Sequence, residues 1–150
     1  MTDPVLVACA GCGATNRVPR ARLGPSSQAV CGRCQRALPV DTAPVVVTDA
    51  TFADEVERWP LPVVVDLWAT WCPPCRMIAP VVEQLADELA GRVRFAKIDV
   101  DGSPATSARF DVRNIPTLLV MHRGREVDRI VGAVPKAEIL KRLAPLLAAA

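Results

Sequence analysis

The chain has 150 residues, 51% of them hydrophobic and 23% charged, which is enough to bury a core and excludes a disordered tail. No apolar run approaches the roughly 18 residues needed to cross a membrane, and "MTDPVLVA" carries an acid where a signal peptide carries basic residues, so a cytoplasmic location with no membrane association is expected. The formal net charge of +2 says little as a whole, but residues 1–40 hold Arg17, Arg20, Arg22, Arg33 and Arg36 against Asp3 alone, leaving the remainder at −2.

All six cysteines fall in C-x-x-C pairs. In a reducing compartment, that usage points to metal binding or catalysis rather than a disulfide scaffold. The first two pairs, Cys9 with Cys12 in "CAGC" and Cys31 with Cys34 in "CGRC", are separated by 18 residues, the spacing of a four-cysteine zinc site. Two tight turns can bring four sulfurs around one ion, and Gly11, Gly13 and Gly32 suit such turns. A segment this short needs a staple of that kind because its core is too small to hold it. With all four positions filled by protein, one structural zinc is expected. Four thiolates around a divalent ion contribute −2, halving the basic excess, and no aromatic residue precedes Phe52 to stack on bases. Nucleic-acid binding is therefore disfavoured. Residues 1–38 read as a zinc-ribbon-like module and 39–44 as a proline-marked linker into a second segment, 45–150.

In the second segment strands and helices alternate. "VVVT" (45–48) reads as a strand, and Phe52, Val56 and Trp59 follow at helical spacing behind the capping candidates Asp49 and Thr51. "PVVVDLW" (62–68) is a continuous apolar run suited to a central strand covered on both faces. The third cysteine pair precedes a long helix carrying Met77, Ile78, Val81, Val82, Leu85 and Leu89, with Pro80 expected to kink it. "VRFAKIDV" (93–100) is a further strand, followed by a short helix with Ser103 as cap and Pro104 at its first position. "TLLVM" (117–121), the turn "HRGR" and "EVDRIVG" (126–132) read as an antiparallel hairpin. A last helix begins at Pro135, where Pro145 could bend or end it early. The order β-α-β-α-β-α-β-β-α implies an α/β fold, a mixed sheet between helical layers.

Cys72 of "WATWCPPC" thus stands between a buried strand and a helix, near an N-cap whose unpaired N–H groups and dipole favour a thiolate. Cys75 lies one turn inside, able to attack a mixed disulfide. Metal binding would need further ligands, and the second segment offers only His122. A permanent staple closing so short a loop would gain little chain entropy. The pair reads as a reactive dithiol.

"VDLWATWCPPCRMIAP", "IDVD", "VRNIPTLLVM" and the later "VGA" resemble the thioredoxin family over residues 45–148, and the preceding cysteine module resembles its zinc-binding bacterial branch. Pro73 occupies a position that is usually glycine in this family, and WCPPC is more familiar in tryparedoxins and nucleoredoxins. The resemblance implies a thioredoxin fold and protein-disulfide reduction that maintains cell redox homeostasis, with Cys72 as nucleophile and Cys75 as resolving thiol. It implies Asp66 as the buried carboxylate, Lys97 as its neighbour and Pro116 as a cis-proline beside the dithiol. Ile115 would offer backbone to an extended substrate, and Trp71, Gly132 and Ala133 would border an apolar docking surface. Trp68 reads as core support. An acid inside "VVVDLW" should also be desolvated, with a raised pKa. Blander alternatives are a backbone-bonded Asp66, a solvated Lys97 and a trans Pro116. The resemblance further implies an NADPH-dependent, flavin-containing thioredoxin reductase as electron donor, disulfide-containing proteins as substrates and a monomer. Two alternatives are a tryparedoxin- or nucleoredoxin-like electron carrier and a zinc-ribbon interaction or holdase module on a thioredoxin-like scaffold. Retention of both Cys72 and Cys75 weighs against the second of these.

Overall fold

The computed structural model describes residues 5–19, 29–38, 43–90 and 92–148. Asp3, Arg20 and Arg22 of the basic segment and residues 39–42 of the expected linker lie outside the described residues. Strands β1 (Val5–Ala8) and β2 (Thr15–Val18) pair antiparallel, with Val5 opposite Val18 and Ala8 opposite Thr15. Beside them two similar tight turns follow Cys9 and Cys31, closed by Gly13 N–H to Cys9 O and Gln35 N–H to Cys31 O, both 2.9 Å. Gly13 (φ 76°) and Gln35 (φ 65°) hold equivalent left-handed positions. Glycine takes this conformation freely, whereas glutamine does so at a cost.

The remaining elements are β3 (Val45–Val47), a π-helical turn (Ala53–Glu57), β4 (Val63–Trp68), α1 (Pro73–Glu88), β5 (Arg94–Asp99), α2 (Pro104–Arg109), β6 (Thr117–His122), β7 (Arg125–Val131) and α3 (Lys136–Ala148). The five strands form one sheet in the order β3-β5-β4-β6-β7. Strands β3, β5 and β4 are parallel, while β6 runs antiparallel to β4 and β7 antiparallel to β6. The expected mixed sheet is therefore present.

Strand β4 is central, and every residue from Val63 to Leu67 has no solvent exposure. Its alternation divides the core. Val64 packs with Ile78, Val82 and Leu85 of α1 and Ile139 and Leu143 of α3, while Val63, Val65 and Leu67 pack with Phe52 and Val56 on the other face. Each fully buried aliphatic side chain contributes about 1.5–3 kcal/mol by leaving water. The β6–β7 hairpin closes through Arg123 (φ 54°) and Gly124 (φ 79°), the paired left-handed residues of a turn whose twist matches the strands.

Local chemistry departs from the sequence reading in two places. The segment expected as an α-helix around Phe52 and Val56 widens to a π turn, with Arg58 N–H bonding Ala53 O at 2.9 Å. Pro60 has no N–H to offer the Glu55 carbonyl in such a turn, and Arg94 Nη1 donates to that carbonyl instead at 3.1 Å. Second, Asp49 does not cap the turn that follows it: its carboxylate accepts from Ala105 N–H (3.1 Å), Thr106 N–H (2.9 Å) and Thr106 Oγ1 (2.7 Å), capping α2. Ser103, the expected cap of α2, makes no such bond, and its Oγ accepts from Asp49 N–H at 3.2 Å. Pro80 does not end α1, and Pro145 does not end α3, which runs on to Ala148. Pro135 lies just before α3, its carbonyl accepting from Glu138 N–H (3.0 Å) and Ile139 N–H (3.3 Å).

Because Asp49 supplies the only side-chain cap of α2 among the described residues, Asp49→Ala should lower the melting temperature by roughly 4–8 °C. Asp49→Asn should recover much of the loss, since its side-chain oxygen still accepts. Thermal unfolding followed by circular dichroism checks both, and equal melting for Ala and wild type would show that the long-range cap is energetically idle.

Candidate functional site

Strand β4 ends at Trp68, and after the turn Ala69–Trp71 the chain enters α1 with Cys72 as N-cap. Pro73 and Pro74 fill the first helical positions, which tolerate a missing N–H. The first backbone donor is therefore Cys75 N–H, which points at Cys72 Sγ at 3.2 Å. A donor and a helix N-terminus aimed at one sulfur stabilise its thiolate. Cys72 and Cys75 are joined as a disulfide. Each is 3% exposed, and they pack with Ala69, Trp68, Val100 and Ile115.

The two sulfurs face different surroundings. Cys72 Sγ lies 3.8 Å from the Ile115 carbonyl oxygen. The Ile115–Pro116 peptide is cis, and Gly132 N–H (φ 95° at Gly132) donates to Pro116 O at 2.8 Å. Ile115 and Gly132 are half-buried, Ala133 is exposed and Trp71 is 63% exposed, its Nε1–H donating to Asp101 Oδ2 at 2.7 Å.

Cys75 instead lines a cavity of about 150 Å³ together with Asp66, Trp68, Ala69, Thr70, Arg76, Ala79 and Lys97. Asp66 is fully buried, and neither carboxylate oxygen has a hydrogen-bond partner among the described residues, so it is not held by backbone. Burial pushes its pKa up to about 6, against the opposing pull of the Lys97 charge. Lys97 stands opposite Asp66 in the β4–β5 register, half-buried, with Nζ 5.1 Å from the Trp68 ring centroid. Trp68 is thus a cavity wall as well as core support.

In the N-terminal segment the sulfurs of Cys9, Cys12, Cys31 and Cys34 all lie within 4.8 Å of one another, positioned to hold a metal ion. Cys9 Sγ is 3.6 Å from Cys34 Sγ, and Cys12 Sγ is 3.6 Å from Cys31 Sγ. Gly11 N–H and Arg33 N–H point at Cys9 and Cys31 sulfurs at 3.4 Å. The backbone of Cys34 and Arg33, with Asn16, draws the Cys31 thiol down to about 6. The Ala14 backbone also lowers Cys12, but desolvation and the sulfurs of Cys31, Cys34 and Cys9 outweigh it and push that thiol up to about 11. A divalent cation among the four sulfurs would favour the thiolate form of all of them.

Three contributors escaped the sequence reading. Asn16 donates to Cys31 Sγ at 3.5 Å and accepts from Gly32 N–H at 2.9 Å, linking β2 to the second cysteine turn. Asp101 holds the Trp71 indole, and Arg76 Nη2 donates to Thr70 O at 2.6 Å. The adjacency of Arg76 to Cys75 and the position of Asp101 in "IDVD" were the only available signals, since pairing distances are not in the sequence.

The thioredoxin family model matches residues 43–145. The chain is 42% identical to thioredoxin C-3 of Corynebacterium nephridii over 135 residues, 90% of each protein. That length cannot be contained within residues 43–150, so this likeness reaches into the N-terminal segment. It is 48% identical to a thioredoxin of Mycobacterium bovis over 106 residues (71% of this chain, 91% of that protein) and 45% identical to thioredoxin 1 of Synechococcus elongatus over 97 residues (65% and 91%).

Between the ordinary value of 3.8 and the folded value of about 6, Asp66 holds a proton in the folded protein that the unfolded chain releases. Stability therefore falls as pH rises through that window, by about 3 kcal/mol once it is passed. Asp66→Asn removes this dependence. Its stability relative to wild type should rise by that order between pH 4 and pH 8 in urea titrations, whatever the offset from the new amide. A pH-independent difference would show that the carboxylate ionises freely in the fold.

Proposed function

The chain belongs to the thioredoxin family and is a protein-disulfide oxidoreductase; from that premise we propose that Cys72 is the attacking thiol and Cys75 the resolving one. The Cys72 thiolate attacks one sulfur of a substrate disulfide, forming a mixed disulfide and expelling the other sulfur as a thiolate. Cys75 then loses its proton and attacks Cys72 Sγ. The second substrate thiolate leaves, and the substrate has gained the two electrons that the protein dithiol lost. Asp66 receives the Cys75 proton. With a pKa of about 6 it is mostly ionised near neutral pH, yet basic enough to act. Lys97 moderates that basicity.

The observation that carries this ordering is the asymmetry of the two sulfurs: Cys72 caps α1 on the Ile115 side, and Cys75 lines the Asp66 cavity. The cis-Pro116 segment with Ile115, Trp71, Gly132 and Ala133 serves as the docking rim for substrate proteins. Electrons come from an NADPH-dependent thioredoxin reductase, and the protein works as a cytoplasmic monomer. Among the described residues no helix is long and apolar enough to cross a membrane. Residues 1–38 form the four-cysteine module, 39–44 the linker and 45–150 the dithiol domain.

The metal of the N-terminal module is a structural zinc held by Cys9, Cys12, Cys31 and Cys34. Ligands at 2.3 Å on a tetrahedron stand about 3.8 Å apart, close to the two 3.6 Å sulfur separations, and the N–H groups aimed at sulfur suit bound thiolates. Four protein ligands leave no open position for a substrate.

Cys75→Ser should trap disulfide substrates through Cys72, and Cys72→Ser should trap none, as read on non-reducing gels. Equal trapping would overturn the assigned roles. NADPH-coupled insulin reduction with thioredoxin reductase separates this function from a binding scaffold, which would give no turnover.

The purified, reduced protein should contain one zinc by atomic emission. Cys9→Ser should lose most of it while keeping the circular dichroism of the 45–148 domain, and the Cys72→Ser, Cys75→Ser double variant should keep its zinc. The reverse pattern would place the metal at the dithiol.

A further inference from the structure

The backbone around the dithiol is held loosely. Cys72 N–H reaches Ala69 O at 3.3 Å and Arg76 N–H reaches Cys72 O at 3.4 Å, both beyond the usual span for such bonds. Pro73 and Pro74 supply no donors and Cys75 N–H turns to Cys72 Sγ, so among the described residues no backbone donor of Pro73–Cys75 bonds back to the strand side of the turn. Across this gap runs one short bond, from Arg76 Nη2 to Thr70 O at 2.6 Å. Thr70 lies two residues before Cys72 and Arg76 one residue after Cys75, so the contact encloses the whole C-x-x-C segment from outside. Both residues also wall the cavity that Cys75 shares with Asp66 and Lys97.

We propose that Arg76 is a positioning residue that clamps the reactive turn once the disulfide is open, keeping Cys75 within attacking distance of Cys72. This rests on the assignment of Cys72 as attacking and Cys75 as resolving thiol. While the disulfide is closed, the S–S bond holds the two sulfurs together and the clamp is redundant. In the mixed disulfide that tie is absent, and the resolving rate depends on how often Cys75 meets Cys72 Sγ, which is an effective concentration set by the turn. A charge-assisted bond between residues 70 and 76 narrows the range of turn conformations and raises that concentration. A clamp that acts by holding Cys75 near Cys72 affects resolution rather than the first attack, which Cys72 makes without Cys75.

A cation this close could also act through thiol ionisation, and the charged or titratable groups around Cys75 among the described residues are Asp66 on β4, Lys97 on β5, Arg76 on α1 and Cys72 at its N-cap. The pH profile separates the two effects. The reduced protein is mixed with oxidised glutathione, and the glutathione adduct on Cys72 is followed by acid quench and mass spectrometry. In the step observed, Cys75 gives up its proton and attacks Cys72 Sγ, the bond to glutathione breaks, and glutathione leaves as a thiolate.

Arg76→Met, which keeps the stem and loses the donor, should lengthen the adduct lifetime roughly two- to tenfold, the worth of one such hydrogen bond. The lengthening should persist on the alkaline plateau, where Cys75, the one free thiol of the adduct, reacts as thiolate in every variant. Arg76→Lys, which can still donate to Thr70 O, should lie between Met and wild type, and melting temperatures should differ little because Arg76 is exposed. An unchanged lifetime in Arg76→Met, or a slowing that vanishes on the alkaline plateau, overturns the clamp. Cys75→Ser provides the separate control: if it releases glutathione as fast as wild type, the assigned thiol roles fall, whereas a stable adduct there with no effect of Arg76→Met refutes the clamp alone.

Discussion

Strand β4 is hydrogen-bonded on both sides, to parallel β5 and antiparallel β6, and covered on both faces. Such a strand has no freedom to shift register, because a one-residue slip would exchange its two buried faces. The consequence reaches the chemistry directly. The end of β4 fixes where Ala69–Trp71 begins, and that turn fixes the N-terminus of α1, where Cys72 stands. The pairing of β4 with β6 also brings in the segment just before β6, with Ile115 and Pro116, so that its carbonyl meets Cys72 Sγ. Two segments more than 40 residues apart are thus aligned by one ladder.

The same burial imposes a cost. Asp66 occupies a position on β4 where an apolar residue would be more stable, and among the described residues it has no hydrogen bond to offset its desolvation. Lys97 opposite offsets part of that penalty, and Asp66 and Cys75 line the same cavity. In the proposed mechanism this lost stability is what keeps a proton acceptor with a pKa of about 6 beside the resolving thiol. The N-terminal module has the opposite difficulty. Its described core is little more than Val18, Ala29 and Leu38 around Cys9 and Cys31, too small to hold two strands and two turns by burial alone. In the proposed zinc site, metal ligation supplies what packing cannot.

Much of this was legible before any coordinate. The continuous apolar run of "PVVVDLW" marked a strand buried on both faces, and strand-helix alternation gave the element order. The cysteine spacings separated a four-sulfur cluster positioned to hold a metal from a pair that closes as a disulfide, and an acid inside an apolar strand already implied a raised pKa. These inferences succeed because they depend on hydrophobic period and on donor count, which are properties of contiguous residues.

Other features were decided only by the tertiary structure. Asp49 is the residue type of a local cap, but the fold carries it to the start of α2, where it accepts from the N–H groups of Ala105 and Thr106. The segment after it is a π turn whose Glu55 carbonyl, left without a donor by Pro60, is satisfied by Arg94 from β5. Trp68 becomes a cavity wall, Asn16 a support for a cysteine turn and Arg76 a strap across the dithiol through partners that the local pattern does not specify. Sequence by itself determined which groups carry the chemistry and which elements they sit on, because residue type and periodicity are local. Which donor meets which acceptor was left to the three-dimensional packing, because several partners are equivalent in composition and only the folded backbone brings one of them within hydrogen-bonding distance.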